Sequence, residues 1–413
     1  MIIDLILSNK HQLCVTMISN YKNKLMGFSL FSFIIVIIFT SNQLTFVKAV
    51  WPTDEWPTSN PITHQMSGAR LNRIDNYFQD WNDDHQYSHV DQFVIIRNGF
   101  LIKEWYSFFY DALDIHPMWS VTKSFICTLM GIAIEEGYIP SVNEYVLDYF
   151  SDRNISNIDS RKEAMTIEHL LLMSTGLAYP GDDAIWMGWM NADDQVQYIL
   201  DQPMATDPGT IFNYDTGGSH LISAIIQEAT GMNTSDFAEQ YLFNPLGITH
   251  YYWQEDKQGI AFGGHGLYIT PRDMTKLGYL YLNDGYWDGE QILPDNWVQE
   301  VSQRHWYFNE DWGYAKQWWT HPYLDAYSAQ GRYGQSIFVF PEEDIIVAFT
   351  GTISDYDSSP YFEIIDLYVL PAIRTFNLIV ALEVFIPIAG CYLIVSIIAL
   401  AKYRKRIQQM EHN

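Results

Sequence analysis

At 413 residues, with 48 % hydrophobic and 16 % aromatic side chains, the chain is long enough for one large domain or two modest ones and too apolar to be disordered. The formal net charge is −26, and residues 50–375 alone hold 46 acidic against 15 basic side chains, a net of −31. A surface so acidic repels nucleic acid and anionic headgroups, so no nucleic-acid partner is expected for this region.

In chain order, the first feature is an apolar run from Leu25 to Thr40, preceded by Lys22 and Lys24. Its core, Gly27 to Phe39, is short for a membrane span and suits a secretory h-region. Val47-Lys48-Ala49 offers small residues for cleavage. Residues 1–49 are therefore read as a signal peptide or a retained anchor, and 50–74, with Pro52, Pro57 and Pro61, as a linker. Helical periodicity over Ala69–Trp81 follows. Two β-rich runs, Phe93–Arg97 and Phe100–Tyr106, flank Asn98-Gly99 and predict a hairpin. Ser336–Phe340 and Ile345–Phe349 predict a second. Between the hairpins the pattern is mostly helical: Ser120–Glu136, Thr166–Met173, Asp194–Leu200, Ser219–Glu228, Thr234–Leu242 and Pro271–Leu282. Strands at both ends and helices between them predict an α+β domain.

A connector at 353–377 leads to Leu378–Ala401, which is long and apolar enough to span a bilayer. Lys402, Arg404, Lys405 and Arg406 open the basic tail at 402–413, marking a cytoplasmic flank. The expected place of the protein is the cell membrane, with the middle of the chain outside. Glu383 falls near the outer end of this span, within reach of the headgroups. Of the three cysteines, Cys14, Cys127 and Cys391, only Cys127 belongs to the outer domain, so no disulfide forms within it. No Cys/His cluster has zinc spacing.

Ser120 and Lys123 lie three residues apart and share one helix face, placing an amine beside a hydroxyl. A hydroxyl attacks well only when a neighbouring base takes its proton. A helix starting at Ser120 also leaves backbone N–H groups there unpaired, ready for an oxyanion. Ser-x-x-Lys is short, and Ser19-Asn20-Tyr21-Lys22 repeats it without such context. Tyr214, before Gly217-Gly218 and a new helix, is a candidate proton relay, because a phenol near a lysine loses its proton more readily. The glycine-containing stretch Tyr327–Gln335, directly before the Ser336 strand, is a candidate edge for a second oxyanion N–H.

Taken in order over residues 75–352, these stretches resemble the serine hydrolases related to class C β-lactamases and penicillin-binding proteins. Ser120-Val121-Thr122-Lys123 matches their Ser-x-x-Lys motif, and Met165–Leu177 the helix and turn that follow. Tyr214-Asp215-Thr216 stands at their Tyr-x-Asn position. Phe262–Met274 matches a glycine-rich segment before a helix, and Ala329-Gln330-Gly331 the last motif, usually Lys-Thr-Gly or His-x-Gly. The resemblance implies an antiparallel sheet flanked by helices, plus a helical subdomain, with the site at their interface. It implies acyl transfer through Ser120, with Lys123 and Tyr214 as base, on a small-molecule or peptide ester or amide, without metal or cofactor. Thr216, Ala329, Gln330 and Gly331 are the implied substrate- and oxyanion-binding positions. Two departures stand out: Thr216 replaces an asparagine, and Ala329 replaces the cation or imidazole that meets a substrate carboxylate. A catalytically inactive surface binding module, a membrane scaffold, or a β-lactamase or D-Ala-D-Ala peptidase are the alternative readings. His265, beside the glycines, is either a pocket residue or a packed one.

Overall fold

Runs such as Phe93-Val94-Ile95-Ile96 and Ile345-Ile346-Val347-Ala348-Phe349 carry apolar side chains at every position, so a strand built from them must be covered on both faces. The computed structural model describes residues 51–178, 183–354 and 360–373, with residues 396 and 400. The expected segments 1–49 and 402–413, and the span 378–401 apart from those two positions, lie outside the described residues. Among the described residues no helix is long and apolar enough to cross a membrane.

Helix α1 (Arg73–Asp84) leads into strands β1 (Val90–Arg97) and β2 (Phe100–Tyr106), the expected first hairpin. Helices α2 (Thr122–Glu135), α3 (Thr216–Thr230) and α4 (Pro271–Leu282) follow, with shorter helices between them. Six further strands close the domain: β3 (Trp306–Tyr307), β4 (Gly313–Tyr314), β5 (Trp319–His321), β6 (Ala326–Gly331), β7 (Gln335–Phe340) and β8 (Ile345–Gly351). The sheet order is β2-β1-β8-β7-β6-β5-β4-β3, every pairing antiparallel. The first strands thus pair with the last, Phe93 opposite Phe349, which makes the α+β layout one continuous sheet. Strands β3 to β6 were not expected from periodicity. All but β6 have two or three residues, too few to show a period of two.

Alternation along the strands divides the core. Val94, Ile96, Ile337, Val339, Ile346 and Ala348 join the cluster built around α2, α3 and α4. Phe93, Ile95, Phe338, Phe340, Val347 and Phe349 face the other way, against α1 and the helical stretch 360–373. Helix α2 is buried from Thr122 through Ala133, as a helix apolar on all sides must be.

The domain extends beyond the expected limits of 75 and 352. In the stretch read as a linker, the Trp56 indole donates to the Arg272 carbonyl at 3.1 Å, and Thr58 bridges to Leu101. In the stretch read as a connector, Tyr361, Ile364, Ile365, Val369 and Ala372 are buried in the second cluster. Prolines set the local chain direction at 52–61, but the tryptophans among them bury large surfaces and dock the segment.

Candidate active site

Ser120 does not begin the α-helix. It lies in a 3₁₀ turn, Trp119–Val121, and α2 starts at Thr122. Trp119 has φ 47°, a left-handed conformation that strains a bulky residue immediately before the serine. The turn still projects Ser120 and Lys123 together: the lysine Nζ lies 3.1 Å from Ser120 Oγ. Lys123 is 1 % exposed and also donates to the Gly264 carbonyl at 2.7 Å. Burial pulls its pKa down to about 7, opposed in part by the negative charge of Asp215. A neutral amine that donates to Gly264 keeps a lone pair to accept the Ser120 proton.

Tyr214 also reaches the serine, its hydroxyl hydrogen-bonding the Ser120 side chain, while Lys123 Nζ lies 4.9 Å from its ring centroid. The expected ease of deprotonation is reversed. Burial pushes the Tyr214 hydroxyl up to about 12, and the bond to Ser120 offsets only part of this. Tyr214 is therefore a proton-bearing phenol beside an amine that loses its proton near neutrality.

The elements around it explain why Tyr214 stands there. The turn after the helix Ile167–Leu171 grips the tyrosine segment: Asn213 N–H donates to the Met173 carbonyl at 2.7 Å, and Thr175 Oγ1 to Asp215 Oδ2 at 3.2 Å. Asp215 is 1 % exposed and caps α3 through the Gly218 N–H at 2.7 Å. Burial raises its carboxyl to about 6, against its hydrogen bonds and the lysine charge. Asp215 was not singled out in the sequence, although an Asp separated by one residue from a glycine pair, at the start of a helical pattern, is a legible capping signal.

Thr216 opens α3 and packs on Gly264: a Cβ at Gly264 would lie 2.4 Å from the Thr216 methyl and 3.3 Å from Lys123 Nζ, so only glycine fits. The same loop is held from behind, where His220 Nε2 meets Asp256 at 3.1 Å and Nδ1 accepts from the Gly263 N–H at 3.4 Å. His265 lies beside Lys123, half-buried among Phe262, Trp186 and Trp189, with Nε2 buried and unpartnered. Burial, then the lysine charge, lowers its pKa to about 3, so it is neutral.

The three residues of the last motif separate. Gly331 comes to the serine: a Cβ there would lie 2.4 Å from the Met118 carbonyl oxygen and 3.1 Å from the Ser120 nitrogen. The Ala329 side chain does not line the site; its methyl is fully buried in the cluster with α2. The Gln330 side chain turns to the other face, donating to Ser328 Oγ at 2.9 Å beside His321. Strand alternation makes this unavoidable. Pairing between β5 and β6 stops at Trp319–Ser328, so residues 329–331 present an unpaired edge toward Ser120. Gln317, also not anticipated, ties the helices together: it accepts from Ser219 Oγ at 3.0 Å and donates to the Leu170 and Leu171 carbonyls. Among the described residues, no cluster of three or more His, Cys, Asp or Glu is arranged to hold a metal ion.

Comparison with known proteins agrees with this geometry. The β-lactamase family profile matches residues 82–360. The chain is 23 % identical over 333 residues to a 6-aminohexanoate-dimer hydrolase of Paenarthrobacter ureafaciens, covering 74 % of this chain and 84 % of that one. It is 26 % identical over 226 residues to a lovastatin esterase of Penicillium rubens, covering 43 % and 55 %. Among solved structures, EstCE1, a hydrolase with promiscuous acyltransferase activity, superposes with TM-score 0.62 at 17 % identity, covering 76 % of this chain and 99 % of that one. The octameric penicillin-binding protein homologue of Pyrococcus abyssi gives 0.59 at 19 %, covering 73 % and 77 %. The chain belongs to the β-lactamase family and is a serine hydrolase of the β-lactamase and penicillin-binding-protein-like superfamily.

Proposed function

We propose that the enzyme cleaves uncharged esters or amides through an acyl-enzyme on Ser120. The observation that carries this reading is Lys123, buried, lowered to a pKa of about 7 and 3.1 Å from the serine oxygen. Ser120 Oγ bonds to the substrate carbonyl carbon as its proton passes to Lys123, and the carbonyl electrons move to oxygen. The Ser120 N–H and an N–H of the open β6 edge near Gly331 hold that oxyanion. The scissile bond then breaks with its electron pair on the leaving group, which takes a proton from Tyr214. Lys123 returns a proton to the phenolate. Water then bonds to the acyl carbon as its proton passes to the same pair; the bond from that carbon to Ser120 Oγ breaks, and Oγ takes the proton back from the pair as the acid leaves.

The neutral preference rests on Ala329, which is packed in the core where related enzymes present a cation or imidazole to a substrate carboxylate. The cost of lacking a charge-assisted hydrogen bond is about 1.5–3 kcal/mol. β-Lactams and peptides with a free terminal carboxylate are therefore the poorer substrates. A fluorophosphonate probe should label the wild-type protein and leave Ser120→Ala unlabelled, and labelling of the variant at the wild-type rate sinks the mechanism. For the membrane reading, the domain is outside and the basic tail inside; protease added to intact cells should remove the domain, and its protection overturns that orientation.

A further inference from the structure

Tyr214 gives its proton to the leaving group in the reading above, on which this inference rests, so the departing atom sits at the Tyr214 hydroxyl. Beyond that point the molecule offers aromatic surface. The Tyr214 ring lies within 22° of parallel to Trp319, 6.1 Å between centroids. Trp319 in turn meets Phe308 at 6.2 Å and Trp312 at 5.9 Å, with Tyr314 buried beneath it at 4.9 Å. Phe308 is 43 % exposed, and Trp319 and Trp312 are half-buried. These rings come from the β3–β4 hairpin and the first residue of β5, where β5 leaves β6 and the sheet edge opens. Exposed aromatic surface joined to a nucleophile's pocket is a place for apolar substrate. Glu310 and Asp311, exposed on the same hairpin turn, discourage an anionic group there.

We propose that Trp319, Phe308 and Trp312 form the leaving-group subsite, and that it takes an uncharged, extended apolar alcohol or amine portion. A chain leaving the scissile bond past Tyr214 lies along the outer faces of these rings and is removed from water. Each fully buried methylene raises kcat/KM roughly fourfold.

Ethyl acetate and hexyl acetate form one acetyl-enzyme, so the ratio of their kcat/KM values reports acylation alone. The full-length protein should favour hexyl acetate at least tenfold. Trp319→Ala should cut that ratio at least fivefold, and Phe308→Ala, a change on an exposed turn that the fold tolerates, should cut it by a smaller factor. Ethyl octanoate, which carries the chain on the acyl side, should not show this dependence on the two variants. A wild-type ratio near one, a ratio untouched by both variants, or an effect confined to ethyl octanoate overturns the subsite. In each of those cases fluorophosphonate still labels Ser120. Absence of both labelling and ester turnover overturns the hydrolytic mechanism itself and this inference with it.

Discussion

The two faces of the central sheet are built from the same strands and do opposite work. On the far face Phe349 stacks on Tyr361 and meets the rings of Phe93 and Phe338, and the layer against α1 and the stretch 360–373 is almost wholly apolar. On the near face the apolar core surrounds buried polar groups, Lys123, Asp215, Ser219, His220 and Gln317, each with a named partner. Burying such groups opposes folding unless every one is satisfied. The near face accepts that cost because a neutral lysine can exist only where water is excluded. One face supplies stability, and the other converts part of it into a perturbed amine.

Substitutions on the two faces should therefore separate activity from stability. Lys123→Met is expected to have the largest effect, a fall in kcat of about 10⁴-fold or more, because base and relay are lost together. The thermal midpoint should not drop, since an apolar side chain replaces a buried amine of the same length. A variant that keeps its kcat, or one whose thermal midpoint falls, would erase the contrast. On the far face Phe349→Ala, at a ring 4.1 Å from that of Tyr361, should cost about 3–5 kcal/mol in denaturant unfolding while kcat/KM of the folded fraction stays near wild type. Gly331→Ala belongs to the seam between the faces. The added methyl meets the Met118 carbonyl and must push β6 from Ser120, so kcat should fall about 10²–10³-fold, the loss typical of one oxyanion donor.

The smallest predicted effect is the most diagnostic. Activity needs the unprotonated amine, so kcat/KM should rise with pH through about 7, where Lys123 loses its proton. Asp215 favours the protonated lysine. Asp215→Asn keeps a side chain able to cap α3 but removes that charge, so the limb should move to lower pH. A limb that stays in place would mean that Asp215 acts only as a cap.

Several parts of this design are local and stand in the sequence. The Ser120–Lys123 pairing needs only the pitch of one turn. The two hairpins need only Asn98-Gly99, the Pro341–Asp344 turn and their flanking apolar runs. The order of the motifs along the chain carried the family. What the sequence withheld are meetings between distant segments. Gly331 approaches Ser120 because β5 stops pairing at Ser328, and strand length is set by the neighbouring strand rather than by propensity. Once that stretch is a strand, alternation sends Ala329 into the core and Gln330 to the opposite face, although all three share one motif.

The protonation states were also beyond reach. A lysine beside a tyrosine suggests an acidified phenol when only charge is considered. Packing of α2 against α3 and the Gly263-Gly264 loop buries the lysine, and at both groups desolvation outweighs what opposes it, the Asp215 charge at Lys123 and the Ser120 hydrogen bond at Tyr214. The sequence by itself determined which groups the enzyme carries and which of them share a turn. The tertiary structure decided which of them are dry, which strand edge stays open and which glycine touches the serine, because solvent exclusion and strand pairing depend on residues far apart in the chain.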